Sequence, residues 1–218
     1  MSTEAIYYYY RRNLPHYHLG GYPLFITFRL AGSLPLTILA QLGTQREREL
    51  KNLKSDTPEE RSKIEKKYFD YYEDWLDRCE FGPRWLQADN IAQIVMKEIH
   101  NMNGSRHKLM AHCIMPNHVH LLIESLIDKQ ANHQGRSAKY PVTDALRLLK
   151  GRTTRNGNLE LRRTGHFWQH ESYDHVVRDE KELERIILYI LNNPVKAGLV
   201  KEWKKWSFTY VSPELGEW

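Results

Sequence analysis

Two histidines stand one residue apart in Met115-Pro-Asn-His-Val-His-Leu-Leu-Ile-Glu124, at the head of an aliphatic run. In a strand, alternate side chains share a face, so His118 and His120 point one way while Val119, Leu121 and Ile123 point the other way, into a core. Imidazole is a good ligand for a divalent ion, and two on one face supply two thirds of a metal site. The third ligand, an oxygen or a nitrogen, must come from elsewhere in the fold. The bland alternative is a pair of strand histidines that hydrogen-bond at a sheet end. A third histidine at the next alternate position is absent, because that position is Leu122.

A second group of chemical residues lies near the end of the chain, in Leu183-Glu-Arg-Ile-Ile-Leu-Tyr-Ile-Leu-Asn-Asn-Pro-Val-Lys-Ala-Gly-Leu-Val200. Leu183, Ile186, Ile187, Ile190 and Leu191 recur at helical spacing and make a buried stripe, with Tyr189 on its flank. Asn193 follows four residues later, one turn along the same side, so a phenol and an amide can face one site. Each has an ordinary alternative. Tyr189 could be a boundary tyrosine with its hydroxyl in water, and Asn193, just before Pro194, could cap a short helix ending at Gly198.

The elements that must carry these residues follow from the pattern around them. Tyr22 to Leu30 is β-branched and aromatic between Gly20-Gly21 and Gly32-Ser33-Leu34-Pro35, which predicts a strand. From 36 to about 80 the composition turns charged, and Thr57-Pro-Glu-Glu60 gives an N-cap, a first-turn proline and a capping-box glutamate. With Ile64, Tyr68, Tyr71 and Trp75 as the apolar face of its second helix, this segment reads as an inserted helical hairpin. Ala88 to Asn101 is amphipathic, with Ile91, Ile94, Val95 and Ile99 inward. His107–Met115 and His118–Ser125 form an antiparallel hairpin about Pro116-Asn117. A helix from Pro141 to about Arg155, an extended run from Phe167 to Val177 and a helix from Glu180 to Leu191 complete the order. That order, β-α-β-β-α-β with a helix appended, predicts an α+β fold. It is a ferredoxin-like split antiparallel sheet with helices on one face, the inserted hairpin, and a C-terminal helix carrying the tyrosine. The whole of 1–218 reads as one domain interrupted by the 36–80 insertion.

Composition bounds the setting. The chain has 218 residues, 41% hydrophobic and 27% charged, with no apolar run near the roughly 20 residues that a membrane span needs. The two cysteines, Cys79 and Cys113, are too few for a disulfide framework, and the N-terminus lacks the order of a secretory signal, so a reduced cytoplasmic protein is expected. A net charge of +5 favours polyanionic partners, nucleic acid first.

Pro116-Asn-His-Val-His-Leu-Leu122 together with Tyr189-Ile-Leu-Asn-Asn-Pro-Val-Lys-Ala-Gly-Leu-Val200 resembles the single-tyrosine HUH transposases, and more narrowly the REP-associated tyrosine transposases. Arg11-Arg-Asn-Leu-Pro-His-Tyr-His18, Thr27-Phe-Arg-Leu30 and Phe167-Trp-Gln-His-Glu-Ser-Tyr-Asp-His175 are similar to that group too, so the resemblance spares little beyond the insertion. It implies that Val119 is the bulky residue between the two histidines, that His118, His120 and Asn193 hold Mg²⁺ or Mn²⁺, and that Tyr189 is the nucleophile. Asn193 stands where the wider insertion-sequence family often has glutamine. The implied activity is metal-dependent cleavage and transfer of single-stranded DNA through a covalent 5′-phosphotyrosine, on a short imperfect hairpin with a single-stranded flank. His170 and His175 are candidate bases.

The expected DNA contacts are Arg11, Arg12, Lys150, Arg152, Arg155, Arg162, Arg163 and His170, with Trp168 and Tyr173 as stacking rings. A solvated basic face and core packing of the tryptophan are the plain alternatives. A domesticated, non-catalytic binder of hairpin DNA that keeps the fold is the rival function. The expected assembly is a monomer or a homodimer.

Overall fold

The strands and helices, in chain order, are β1 (Tyr7–Arg11), β2 (Pro15–Leu19), β3 (Pro23–Arg29), α1 (Leu36–Lys51), α2 (Pro58–Asp77), α3 (Asp89–Asn101), β4 (His107–Ile114), β5 (His118–Ser125), α4 (Pro141–Glu160), β6 (Tyr173–Val176), α5 (Glu180–Lys196) and β7 (Thr209–Val211). This computed structural model describes residues 7–11, 15–19, 22–53, 55, 57–126 and 141–218. Five strands form one antiparallel sheet in the order β6-β3-β5-β4-β7, and β1 pairs with β2 separately. The order β6-β3-β5-β4 with α3 and α4 as crossovers is the expected split βαββαβ arrangement. β7 extends it by one edge strand, too short at three residues to show as a pattern.

Alternation along the strands divides the core in two. Leu24, Ile26 and Phe28 of β3 and Val119, Leu121 and Ile123 of β5 meet Ile91, Val95 and Ile99 of α3 and Ala145 and Leu149 of α4. Phe25 and Leu122, one residue out of phase, meet Ile186, Ile187, Ile190 and Leu191 of α5 on the opposite face. Burying each of the larger of these side chains contributes about 1.5–3 kcal/mol, and both faces are closed by their own helices. No helix among the described residues is long and apolar enough to cross a membrane.

Three boundaries differ from expectation. α4 runs through Gly151 and Gly157 to Glu160, past Arg155. Phe167–Val177 pairs only at its ends, through Leu30↔Trp168 and then Thr27↔Tyr173, so four residues lie opposite two and bow out of the ladder. α5 continues through Asn193 and Pro194 to Lys196, so Asn193 is interior to a helix and does not cap a new one. The turn that ends α5 closes through bonds from Gly198 to the Val195 carbonyl and from Leu199 to the Pro194 carbonyl, with Gly198 at φ +69°.

The insertion is a helical hairpin, as its caps imply. Thr57 accepts from the Glu60 amide and Pro58 opens α2. Its ends meet where Gly82, at φ +68°, lies against the Gly32 carbonyl so closely that a Cβ would stand 2.1 Å from that oxygen. The face α2 turns inward is not the expected aromatic stripe. Tyr71 is exposed, and the buried residues are Tyr68, Glu73, Leu76 and Asp77. α2 docks through Arg29 Nε donating to the Tyr72 hydroxyl at 2.7 Å and through Phe69 stacked on Tyr173 at 3.4 Å. The hairpin thus brings two carboxylates against the sheet.

Candidate active site

His118 and His120 lie on the α5 side of β5, both fully buried, in register with Arg29 and Thr27 of β3. Their ring nitrogens converge, Nε2 to Nε2 at 2.9 Å. The outer nitrogens fix the tautomers. His118 Nδ1 lies 2.6 Å from Asn117 Oδ1, which can only accept, so Nδ1 carries the proton and Nε2 keeps its lone pair. His120 Nδ1 lies 2.9 Å from Thr27 Oγ1 and 3.3 Å from Glu73 Oε2. Thr27 gives its own proton to Glu73, so it accepts from His120 and the inner nitrogen is again the free one. Burial, with the neighbouring His118, pushes the His120 imidazolium down to about 4, which keeps the ring neutral near pH 7.

Asp77 closes the group, with Oδ1 at 3.5 Å from His118 Nε2 and 3.7 Å from His120 Nε2. Burial works against its ionisation, but the polar contacts with the His118 and His120 rings outweigh it and hold the carboxyl well below the usual range. Donor atoms of Asp77, His118 and His120 lie within 4.8 Å of one another. Two imidazoles and a carboxylate suit a divalent cation, and ligands at right angles with bonds of about 2.1 Å stand about 3 Å apart, as these nitrogens do. The outer partners Asn117, Thr27 and Glu73 orient the rings as second neighbours do around a metal.

α5 delivers the remaining two residues. Tyr189 is partly buried, its ring edge-on to His120 at 5.2 Å, and its hydroxyl donates to Glu73 Oε2 at 2.7 Å. Burial, then the carboxylates of Glu73 and Asp77, raise its phenol far above the ordinary value. Glu73 is raised as well, by burial and the adjacent Asp77. Asn193 donates from Nδ2 to Asp77 Oδ1 at 3.0 Å and to His120 Nε2 at 3.1 Å, while its Oδ1 is buried without a partner. Lys196 bridges Asp74 at 2.7 Å and Asp77 at 3.1 Å. A cleft of about 340 Å³, lined in part by Glu73, Asp74, Tyr173, His175 and Lys196, opens beside the phenol.

The fold therefore brings His118, His120, Tyr189 and Asn193 together within one chain. Of the two candidate bases, His175 lines the cleft and pairs with Glu182 at 3.0 Å. His170 is exposed and pairs with Glu171. Trp168 as a base-stacking ring is corrected: it is buried against Phe28 and Phe167 and donates to Thr153, so its faces are taken by the core. Tyr173 is likewise covered, by Phe69. Lys150 donates to the His170 carbonyl and to Ser172, Arg152 pairs with Glu98, and Arg163 lies over the Trp85 ring; Arg155 and Arg162 are exposed. α4 lies across the sheet from α5, so these cations face away from the Tyr189 cleft. Arg12 and the side chain of Arg11 lie outside the described residues.

Glu73 and Asp77 were not anticipated. A signal existed: Phe69, Tyr72, Glu73, Leu76 and Asp77 share one face at helical spacing, and two acids interrupt an otherwise apolar stripe.

A split βαββαβ sheet, with paired strand histidines facing a tyrosine on the last helix, defines a class of proteins. Residues 86–193 match the family model of the IS200-like transposases. The matched stretch contains His118, His120, Tyr189 and Asn193 and ends before Lys196; the inserted hairpin lies outside it. A Haemophilus influenzae protein bearing the name REP-associated tyrosine transposase is 34% identical over 100 residues, 46% of this chain and 56% of that one. The match thus spans little more than half of that relative's length. A solved structure of a REP-associated tyrosine transposase bound to a REP hairpin aligns over 92% of this chain and 80% of that chain, at 18% identity and a TM-score of 0.48.

Proposed function

We propose that this protein is a metal-dependent endonuclease and strand transferase for single-stranded DNA, which recognises hairpin DNA and cleaves through a covalent 5′-phosphotyrosine at Tyr189. The observation that carries the reading is the meeting of the Tyr189 phenol with the cluster of His118, His120 and Asp77, from three separate parts of the chain. Those three residues would hold a divalent ion of the Mg²⁺ or Mn²⁺ class, with Asn193 beside them. When bound, such an ion supplies neutralising charge and polarises a phosphate oxygen. That charge is useful because Glu73, Asp74 and Asp77 crowd acidic groups about the phenol; Lys196 bridges two of them, and Lys66 and Arg185 also line the cleft.

Tyr189 Oη attacks phosphorus, the bond from phosphorus to the 3′ oxygen breaks, and the 5′ phosphate stays on the tyrosine. The proton lost by the phenol is balanced by the one gained on the leaving 3′ oxygen. Attack by that hydroxyl, or by another strand's 3′ hydroxyl, reverses the step without ATP. The ring, packed edge-on to Phe25 and His120, enters the reaction already oriented. Arg155 and Arg162, exposed beyond the sheet, are proposed to track phosphates at a distance from the chemistry.

Tyr189→Phe tests this directly. With a hairpin oligonucleotide carrying a single-stranded flank and Mn²⁺, the parent forms a covalent adduct, visible on a denaturing gel, and the variant forms none while binding within about twofold. An adduct in the variant moves the nucleophile elsewhere. Binding without an adduct from either protein leaves the non-catalytic hairpin binder in its place.

A further inference from the structure

We infer that Glu73, supplied by the inserted hairpin, is the positioning residue that holds the Tyr189 phenol against the metal cluster; the inference rests on the reading of Tyr189 as nucleophile. The ring of Tyr189 is fixed on two sides, by Phe25 at 5.9 Å and by His120 at 5.2 Å, both edge-on. Packing of this kind limits the tilt of a ring but leaves its oxygen without a preferred partner. Glu73 Oε2 provides that partner at 2.7 Å, against 3.5 Å for Asp77 Oδ2.

The acceptor is itself held. Glu73 is 3% exposed, its Oε2 lies 3.3 Å from His120 Nδ1, and its Oε1 has no partner, so one oxygen serves both the nucleophile and a ring of the cluster. α2 cannot slide freely, because Tyr72, the residue before Glu73, is bonded to the buried Arg29, and Phe69, one turn earlier, is stacked on Tyr173. A rigid acceptor one bond from the attacking oxygen, and also in contact with a ligand ring, fixes the distance between the two. This device comes from outside the stretch that matches the IS200-like family, whose residues 86–193 include the tyrosine, the histidines and Asn193 but not Glu73.

A buried carboxylate that merely fastened α2 to α5 would give the same static picture, so the test separates the two. Glu73→Leu fills the space without an acceptor, and Glu73→Gln keeps an acceptor of the same length. With Mn²⁺ and the flanked hairpin oligonucleotide under single-turnover conditions, Glu73→Leu slows adduct formation by at least about tenfold, as misplacing a reacting group does, with oligonucleotide affinity within about twofold. Glu73→Gln returns the rate to within about threefold of the parent. Glu73→Ala serves in the same comparison where the leucine variant does not fold. A Leu variant as fast as the parent, or a Gln variant as slow as Leu, overturns the assignment.

Should the parent form no adduct at all, the function proposed above fails while Glu73 is still judged. The Tyr189 hydroxyl proton, assigned in the NMR spectrum by its loss in Tyr189→Phe, is protected from exchange in the parent and in Glu73→Gln and lost in Glu73→Leu. Its persistence in Glu73→Leu overturns the assignment independently.

Discussion

The inner nitrogens of His118 and His120 face each other at 2.9 Å while their outer nitrogens are committed to Asn117 and Thr27. Two lone pairs at that distance repel unless a cation or a shared proton lies between them. Asn193 Nδ2 meets only the His120 side of the pair. Mn²⁺ is therefore expected to bind the protein without DNA. At a hundredfold excess over its dissociation constant it stabilises the fold by about 2.7 kcal/mol, read as a rise in thermal midpoint. His118→Ala and Asp77→Asn each weaken the Mn²⁺ affinity measured by calorimetry by at least about tenfold. Unchanged affinity in both variants would remove this cluster as the site.

The two glycines of α4 make a matched pair. A Cβ at Gly157 would stand 2.7 Å from Phe167 Cε2, whereas at Gly151 it meets nothing within 4 Å. Gly151→Ala should stabilise by roughly 0.5–1 kcal/mol through helix propensity. Gly157→Ala should lose that gain and cost about 1–3 kcal/mol net through overpacking. Urea denaturation of the two variants side by side checks the sign of each.

His112 predicts how stability depends on acid. Burial, with His100 beside it, pushes its imidazolium down to about 3, and it stacks on Tyr210. The unfolded chain binds this proton near 6.5 and the folded chain does not, so the stabilisation is complete above that value and declines as pH falls toward 3. Between pH 6 and 4 the contribution is about 1.4 kcal/mol per pH unit. His107, pushed down to about 4 by burial, adds to the same slope over a narrower window. His112→Phe should flatten the fall in denaturation free energy by about one proton; an unchanged slope would mean that His112 titrates freely when folded.

Arg29 is 4% exposed and donates to Tyr72 and Ser33, and burial pushes the Tyr72 phenol up to about 12. Tyr72→Phe takes the hydroxyl from a buried cation and should cost about 1.5–3 kcal/mol. It should also speed hydrogen exchange along α2 more than along β3 and β5. Equal changes in all three elements would show that the bond is not what docks the hairpin.

The parts of this fold that were legible in the sequence are those where one physical rule acts alone. Alternation through His118, Val119, His120 and Leu121 set the two faces of β5, and the stripe from Leu183 to Leu191 set the inward side of α5. Thr57, Pro58 and Glu60 marked the start of α2 because capping is local. The readings that failed needed a tertiary fact. Pro194 suggested a break after Asn193, yet it sits in the last turn of α5, where a missing amide costs little because the Schellman turn supplies the remaining bonds. Trp168 carried no local sign that Phe28 and Phe167 would cover it. Glu73 and Asp77 looked like solvated charges in a charged insertion, because their meaning depends on histidines some forty residues further along. β7, three residues long, lies below the length at which alternation is a signal.

The acids of the inserted hairpin sit four residues apart on one helix, and each residue of an α-helix turns it by about 100°. Removing or adding a single residue between Tyr72 and Cys79 would swing at least one carboxylate off the sheet, and at the sheet-proximal end both. A segment of charged composition is thereby bound to the same register discipline as the histidine strand. A change of length in the connection between α1 and α2 leaves that register intact, so variants of the insertion should tolerate lengthening and shortening there.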